Sequence, residues 1–215
     1  MSSLYPQQHI VLDLDQSLVG VLDESEWMKI YNRAIVENDK QMLSRLYNID
    51  IDGRVIYGIL REYAKQFITY CCSRFKSVSV WSAGTELYVH KTCDILLSNV
   101  NIPVVIFTRK DCEEVITEEG DKLYIKHLKR VYNYPDLKGK ANPKNTFLLD
   151  DKYKVTYEDS SNQIVIPEFD VEDDTVLYSE DKTLLYAINY FNNEIVKRCT
   201  NVRGLATSQR LIFNI

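Results

Sequence analysis

Along the chain, short apolar runs alternate with longer amphipathic stretches. The segment from His9 through Ile10-Val11-Leu12 is almost continuously apolar until Asp13-Leu14-Asp15, the pattern of a strand buried on both faces of a parallel sheet. From Glu24 to about Tyr47, Trp27, Met28, Ile30, Tyr31, Ala34, Ile35, Met42, Leu43 and Leu46 recur at roughly helical spacing, which predicts one or two amphipathic helices ending near Asn48. Asp52-Gly53 then lies between two apolar alternations, a hairpin signal because glycine supplies the positive φ of a tight turn. Leu60 to Phe75 reads as a helix, Ser77 to Ser82 as a second central strand, and Glu86 to Leu97 as the helix after it. Val104 to Phe107 predicts a third strand. The charged segment 109–125 predicts an antiparallel excursion turning at Glu119-Gly120-Asp121 and returning along Leu123-Tyr124-Ile125. Thr146 to Leu149 and Ile164 to Ile166 read as further buried strands, and Lys182 to about Arg198 as a closing helix.

Strands alternating with helices in this order predict an α/β fold: a doubly wound, Rossmann-like parallel sheet with a small antiparallel β insertion around 109–125. In such a sheet ligands bind at the carboxyl ends of the strands. A length of 215 residues suits a single domain, taken as 1–215. The balance of 26 basic against 31 acidic residues, a net charge of -5, argues against a general nucleic-acid binder, which needs a dominant basic surface. Cys71, Cys72, Cys93, Cys112 and Cys199 are odd in number and lack paired metal-ligand spacing, so they read as reduced thiols in an intracellular, cytoplasmic or nuclear protein. Neither a signal-peptide pattern in the opening residues nor an apolar run of membrane-spanning length is present, so a soluble protein is expected.

Three polar clusters fall at predicted strand ends. The first is Asp13-Leu14-Asp15-Gln16-Ser17; a D-x-D-x-[ST] pattern arises by chance in roughly one chain in seven of this composition, and only its place at the end of an apolar strand makes it specific. The second is Ser82-Ala83-Gly84, where a hydroxyl and flexible backbone can each hydrogen-bond a phosphoryl oxygen. The third is Asp150-Asp151, two hard oxygen donors suited to a divalent cation. Each has an ordinary explanation as a turn or a solvated acidic strand end. Their conjunction at three strand ends carries the inference.

With these clusters in place, Val11-Leu12-Asp13-Leu14-Asp15-Gln16-Ser17-Leu18, Val80-Trp81-Ser82-Ala83-Gly84-Thr85, Tyr124-Ile125-Lys126-His127-Leu128 and Leu148-Leu149-Asp150-Asp151 resemble, in order and spacing, the haloacid-dehalogenase superfamily. Within it they resemble the RNA polymerase II carboxy-terminal-domain phosphatases, also called the NLI-interacting-factor-like family. The resemblance runs from about His9 to Arg198. It implies a phosphatase in which Asp13 attacks phosphorus to form an aspartyl-phosphate, while Asp15 protonates the leaving oxygen and then activates water. It also implies Mg2+ held by Asp13, the Asp15 backbone carbonyl and the Asp150-Asp151 pair, Asp151 being the closer match to a direct ligand. Ser82 and Lys126 would hold the transferring oxygens, with Ser17, Gly84 and Arg109 near the substrate.

The chain departs from that pattern in having Ser17 where threonine is commoner, Lys152-Tyr153 after the acidic pair, and a longer approach over 135–145. The first change keeps a hydroxyl; the other two bear on which substrate is used. The expected substrate is a phosphorylated protein or peptide carrying phosphoserine or phosphothreonine, because no large cap is evident between Ser17 and Ser82. Two alternatives stand beside it: a small-metabolite or nucleotide phosphatase with the 24–47 helices as a lid, and an inactive scaffold that binds a partner. Oligomeric state is not legible.

Overall fold

The computed structural model describes residues 7–152, 156, 159–173 and 177–205. In chain order its elements are β1 (His9–Leu12), β2 (Val19–Leu22), α1 (Glu24–Val36), α2 (Lys40–Arg45), β3 (Leu46–Ile51), β4 (Arg54–Leu60), α3 (Ala64–Arg74), β5 (Ser77–Trp81) and α4 (Glu86–Leu96). There follow β6 (Val105–Phe107), β7 (Glu113–Ile116), β8 (Lys122–Ile125), α5 (Lys129–Tyr132), β9 (Thr146–Asp150), β10 (Gln163–Val165), α6 (Thr183–Asn192) and α7 (Glu194–Arg198).

Five strands form one parallel sheet in the order β10-β9-β1-β5-β6. The chain moves from β1 outward to β5 and β6, then returns to the other side of β1 for β9 and β10. The strand order therefore reverses beside β1, the switch point at which open α/β sheets bind ligands. Alternate residues of each strand meet different layers. Ile10, Leu12, Val78, Val80, Phe147 and Leu149 share one core with α3, α4 and α6, where Phe75, Phe147 and Phe191 meet edge-on at 5.1 to 6.3 Å between centroids. Val11, Trp81 and Leu148 pack on the opposite face against Leu128, Val131 and Leu137. Both faces are thus covered, unequally, as a doubly wound sheet requires.

The excursion expected over 109–125 is present as the antiparallel β7–β8 hairpin, with Gly120 at φ +89 in its turn. A larger one lies between β1 and α3. There β2, β4 and β3 form a three-stranded antiparallel sheet, and Leu22 and Ile59 from it join Ile30, Ala34 and Met42 of α1 and α2 in a separate core closed by Phe169 and Leu177. The expected hairpin is β3–β4, turning through Asp52 (φ 52) and Gly53 (φ 84), both left-handed as a type I′ turn demands.

Three boundaries differ from the sequence expectation. The helical run of 24–47 is two helices, each capped by an aspartate: Asp23 accepts from the Glu26 amide at 2.8 Å and Asp39 from the Met42 amide at 2.8 Å. The second ends at Arg45 rather than near Asn48, because Leu46-Tyr47-Asn48 pair with Ile59-Gly58-Tyr57 in β3. Leu60 likewise ends β4, paired with Val19, and the next helix begins only at Ala64. The closing helix breaks at Asn193, whose side chain accepts from the Ile195 amide at 2.9 Å and starts α7.

Tyr47 crosses the bare backbone of Gly58 so closely that a Cβ there would lie 2.4 Å from Tyr47 Cζ. Gly58→Ala is expected to cost about 1–3 kcal/mol of stability through overpacking. The measurement is the urea unfolding midpoint, which should fall with an unchanged m value.

No helix among the described residues is long and apolar enough to cross a membrane. The buried His9 lies 2.7 Å from Ser77 Oγ through Nδ1, and burial holds its pKa down to about 3, so it is a neutral core group.

Candidate active site

The carboxyl ends of β1, β5 and β9 converge, and the polar residues that follow them face one another. The Asp13 amide donates to the Leu149 carbonyl at 2.9 Å, which extends the β1–β9 pairing one residue past β1. The chain then folds back sharply: Gln16 takes a left-handed φ of 60, and the Leu18 and Val19 amides return to the Leu14 carbonyl at 2.9 and 3.0 Å. Ser17, inside this turn, is fully buried; its hydroxyl donates to Asp151 Oδ1 at 3.0 Å and accepts from the Asp151 amide at 3.1 Å. The sequence reading placed Ser17 near substrate. In the structure it ties the first cluster to the third.

Carboxylate oxygens of Asp13, Asp150 and Asp151 lie within 4.8 Å of one another. Lys126, which follows β8, sends its ammonium between two of them, bonding Asp13 Oδ1 and Asp150 Oδ2, the latter at 2.7 Å. Its side chain is 3% exposed, so it is a buried ion-pair partner and not a solvated lysine. Burial works against its charge, yet Asp13 and Asp150 outweigh burial and raise its pKa. The pKa values of the acids also rise, which for them favours the neutral form. Burial, then the charge of Asp13, pushes Asp150 up to about 6 and Asp151 up to about 7.

Asp15, beside this trio, has other partners. Its Oδ2 accepts from Ser82 Oγ at 2.6 Å, and its Oδ1 accepts from the Tyr88 hydroxyl. Burial and the charge of Asp13 raise its pKa against the pull of both hydroxyls. Ser82 is itself fully buried and also accepts from the Gly84 amide at 2.8 Å. A Cβ on Gly84 would stand 3.0 Å from that Oγ and 2.7 Å from the Tyr88 ring, so this turn requires glycine. Arg109 closes the rim: its Nε donates to the Ala83 carbonyl at 2.6 Å and its guanidinium lies 5.0 Å from the Tyr124 ring centroid.

These residues border a cleft of about 830 Å³ that Asp13, Asp15, Asp150, Asp151 and Lys126 all reach. Its walls come from the two antiparallel pieces. Val21, Ile51 and Ile56 stand on the β2–β4–β3 side, and Leu123 and Tyr124 on the hairpin side. Ser17 and Ser82 do not line it.

The donor set fits a hard divalent cation such as Mg2+. The single ammonium of Lys126 pairs with Asp13 and Asp150, and the Asp13-Asp150-Asp151 trio offers only oxygen ligands in a partly desolvated site.

Two residues escaped the sequence reading. Tyr88 lies within the first turn of α4 and looks like any helix aromatic; only its contact with Asp15 marks it. Arg61 is 2% exposed and bonds Asp181 Oδ2 at 2.6 Å, the Pro167 carbonyl at 2.8 Å, Thr183 Oγ1 at 3.0 Å and the Ser17 carbonyl at 3.2 Å, holding the first cluster from behind. Nothing in its local sequence signals burial.

The family described as NLI interacting factor-like phosphatase matches residues 8–203, which include every residue of the site. No curated protein matches the chain. Among solved structures, a variant of the fission yeast RNA polymerase II CTD phosphatase Fcp1 bound to beryllium fluoride is similar. Its TM-score is 0.56 at 16% identity, over 85% of this chain and 49% of that one. A second structure, of Fcp1 described as an essential RNA polymerase II CTD phosphatase, gives a TM-score of 0.55 at 18% identity, over 86% and 50%. The chain therefore spans about half the length of those proteins, and at such identity the likeness is one of fold. Since the family match covers nearly the whole described chain and both the sheet and the acidic cluster lie within it, the chain belongs to the NLI interacting factor-like phosphatase family.

Proposed function

We propose that this chain is an intracellular, Mg2+-dependent protein phosphatase that releases phosphate from phosphoserine or phosphothreonine through an aspartyl-phosphate on Asp13. The phosphorylated RNA polymerase II C-terminal domain is the first substrate to test, since the similar structures are of proteins described as acting on it. The observation that carries the reading is the meeting of Asp13, Asp150, Asp151 and Lys126 in one open cleft with Asp15 beside them.

Lys126 holds Asp13 Oδ1 and so orients the carboxylate, leaving its other oxygen to attack phosphorus. Asp15, whose buried position favours the protonated form, supplies the proton to the leaving oxygen and afterwards takes one from the hydrolytic water. Bound Mg2+, held by Asp13, the Asp15 main-chain carbonyl and Asp151 with Asp150 beside it, would supply the positive charge that lets an anionic nucleophile approach an anionic phosphate. Ser17 fixes Asp151 for that purpose. Ser82 holds Asp15, so any contact of its hydroxyl with a phosphoryl oxygen would come by turning from the carboxylate. Arg109 and Gly84 line the cleft where a substrate backbone or phosphate would pass.

An extended protein substrate is favoured over a small metabolite by the position of the walls. The α1 and α2 helices contribute no residue to the cleft, which, among the described residues, lies between two antiparallel β pieces without a helical lid. Phosphopeptides should release phosphate in the presence of Mg2+, faster than a panel of sugar and nucleotide phosphates. Asp13→Asn should lower that rate by roughly 1,000-fold or more with an unchanged circular dichroism spectrum. A variant as fast as the parent would remove Asp13 from the mechanism.

A further inference from the structure

Asp15 is held by two hydroxyls that differ in one respect. Ser82 Oγ, 2.6 Å from Oδ2, is fully buried and also accepts from the Gly84 amide, so it belongs to the fabric behind the cleft. The Tyr88 hydroxyl, on Oδ1, belongs to a residue that lines the cleft, and its ring packs over Gly84. Of the two donors, Tyr88 is the one whose residue reaches the cleft, and it holds Oδ1.

We propose that Tyr88 is a positioning residue for the acid step: it aims Asp15 Oδ1 at the leaving oxygen and stabilises the carboxylate that forms there. This rests on the phosphatase reading above. In the first step the Asp13–phosphorus bond forms as the ester oxygen–phosphorus bond breaks. The proton on Asp15 Oδ1 passes to the departing oxygen, which leaves as the serine or threonine hydroxyl. Asp15 is left as a carboxylate. A hydroxyl donor gains strength as its acceptor becomes charged, so the Tyr88 bond is stronger in the transition state than in the ground state and accelerates the step. Ser82 provides the same support on the other oxygen and keeps the carboxyl plane from rotating.

The test uses the dependence of rate on leaving group, because only esters with poor leaving groups need the proton. Wild type and Tyr88→Phe are compared in kcat/KM, which reports the first step, on a series of substituted phenyl phosphates from 2,4-dinitrophenyl to unsubstituted phenyl, and on one phosphoseryl peptide. Tyr88→Phe should lose about 10- to 100-fold on phenyl phosphate and the peptide, the value of a hydrogen bond to a charged group. It should lose less than about 3-fold on the dinitrophenyl ester, so that the variant depends more steeply on leaving-group pKa. Turnover of that activated ester also shows that the variant is folded. Equal losses across the series, or none, would overturn the positioning role and leave the phosphatase reading standing. A wild type that cleaves none of these esters would sink that reading, and this proposal with it.

Discussion

Lys126→Met lowers the unfolding free energy by roughly 3–5 kcal/mol at neutral pH, the usual result of deleting one member of a buried ion pair. The lysine is the cation shared by Asp13 and Asp150, and its removal leaves two buried carboxylates facing each other with no charge between them. For a chain of this size each kcal/mol moves Tm by about 2–4 °C, so a fall of at least about 6 °C is expected in a thermal melt. The pH dependence has a definite sign. Asp150 already stands at about 6 in the folded protein with Lys126 present, above the ordinary value near 4 of an unfolded aspartate. A carboxylate raised in this way costs stability above its folded pKa, and the cost disappears as the folded state takes up a proton on acidification. Without the lysine its pKa rises further, so the gap between variant and wild type should narrow from pH 8 toward pH 5. Phosphatase turnover should be lost at every pH. A variant that melts with the wild type at pH 7.5 would mean that Lys126 is not the partner of these acids.

Arg61→Met produces a loss of similar size by a different route. The guanidinium bonds Asp181, Thr183 and the carbonyls of Pro167 and Ser17, so its removal strands one buried carboxylate and leaves main-chain acceptors without a donor. Burial alone would raise the Asp181 pKa, but Arg61 outweighs it and holds the group low. That pairing stabilises the fold above the ordinary carboxylate pKa and is lost as pH falls through the depressed folded value, so the wild-type advantage should be greatest at neutral pH. Roughly 3–5 kcal/mol should disappear from the urea unfolding free energy. Because the Ser17 carbonyl is one of the acceptors, and Ser17 sets Asp151, turnover of the folded variant should also fall by about 10- to 100-fold, the cost of small misplacements in a catalytic site. Stability unchanged within 1 kcal/mol would show that Arg61 is not a tie between these loops.

What could be read from the residues depended on how local the determining physics is. The buried strands of the parallel sheet were legible because strands covered on both faces are apolar over their whole length. The β3–β4 and β7–β8 hairpins were legible because a Gly at positive φ leaves a turn signature. Leu46-Tyr47-Asn48 was misread as the end of a helix because its apolar spacing suits either state, and the choice was made by pairing with Ile59-Gly58-Tyr57 across the hairpin. Val19 to Leu22, a short apolar run interrupted by Gly20, was not read as a strand; it is extended alongside β4.

Alone, the sequence determined the acids, the strands that present them and the alternation that makes the sheet, because each follows from periodicity and composition within a few residues. Only the tertiary structure decided which groups meet: Lys126 between Asp13 and Asp150, Ser17 on Asp151, Tyr88 on Asp15, and Arg61 behind the loop. These contacts join residues from 24 to 134 positions apart, and charge pairing at such separation leaves no local pattern for a reader of the chain to find.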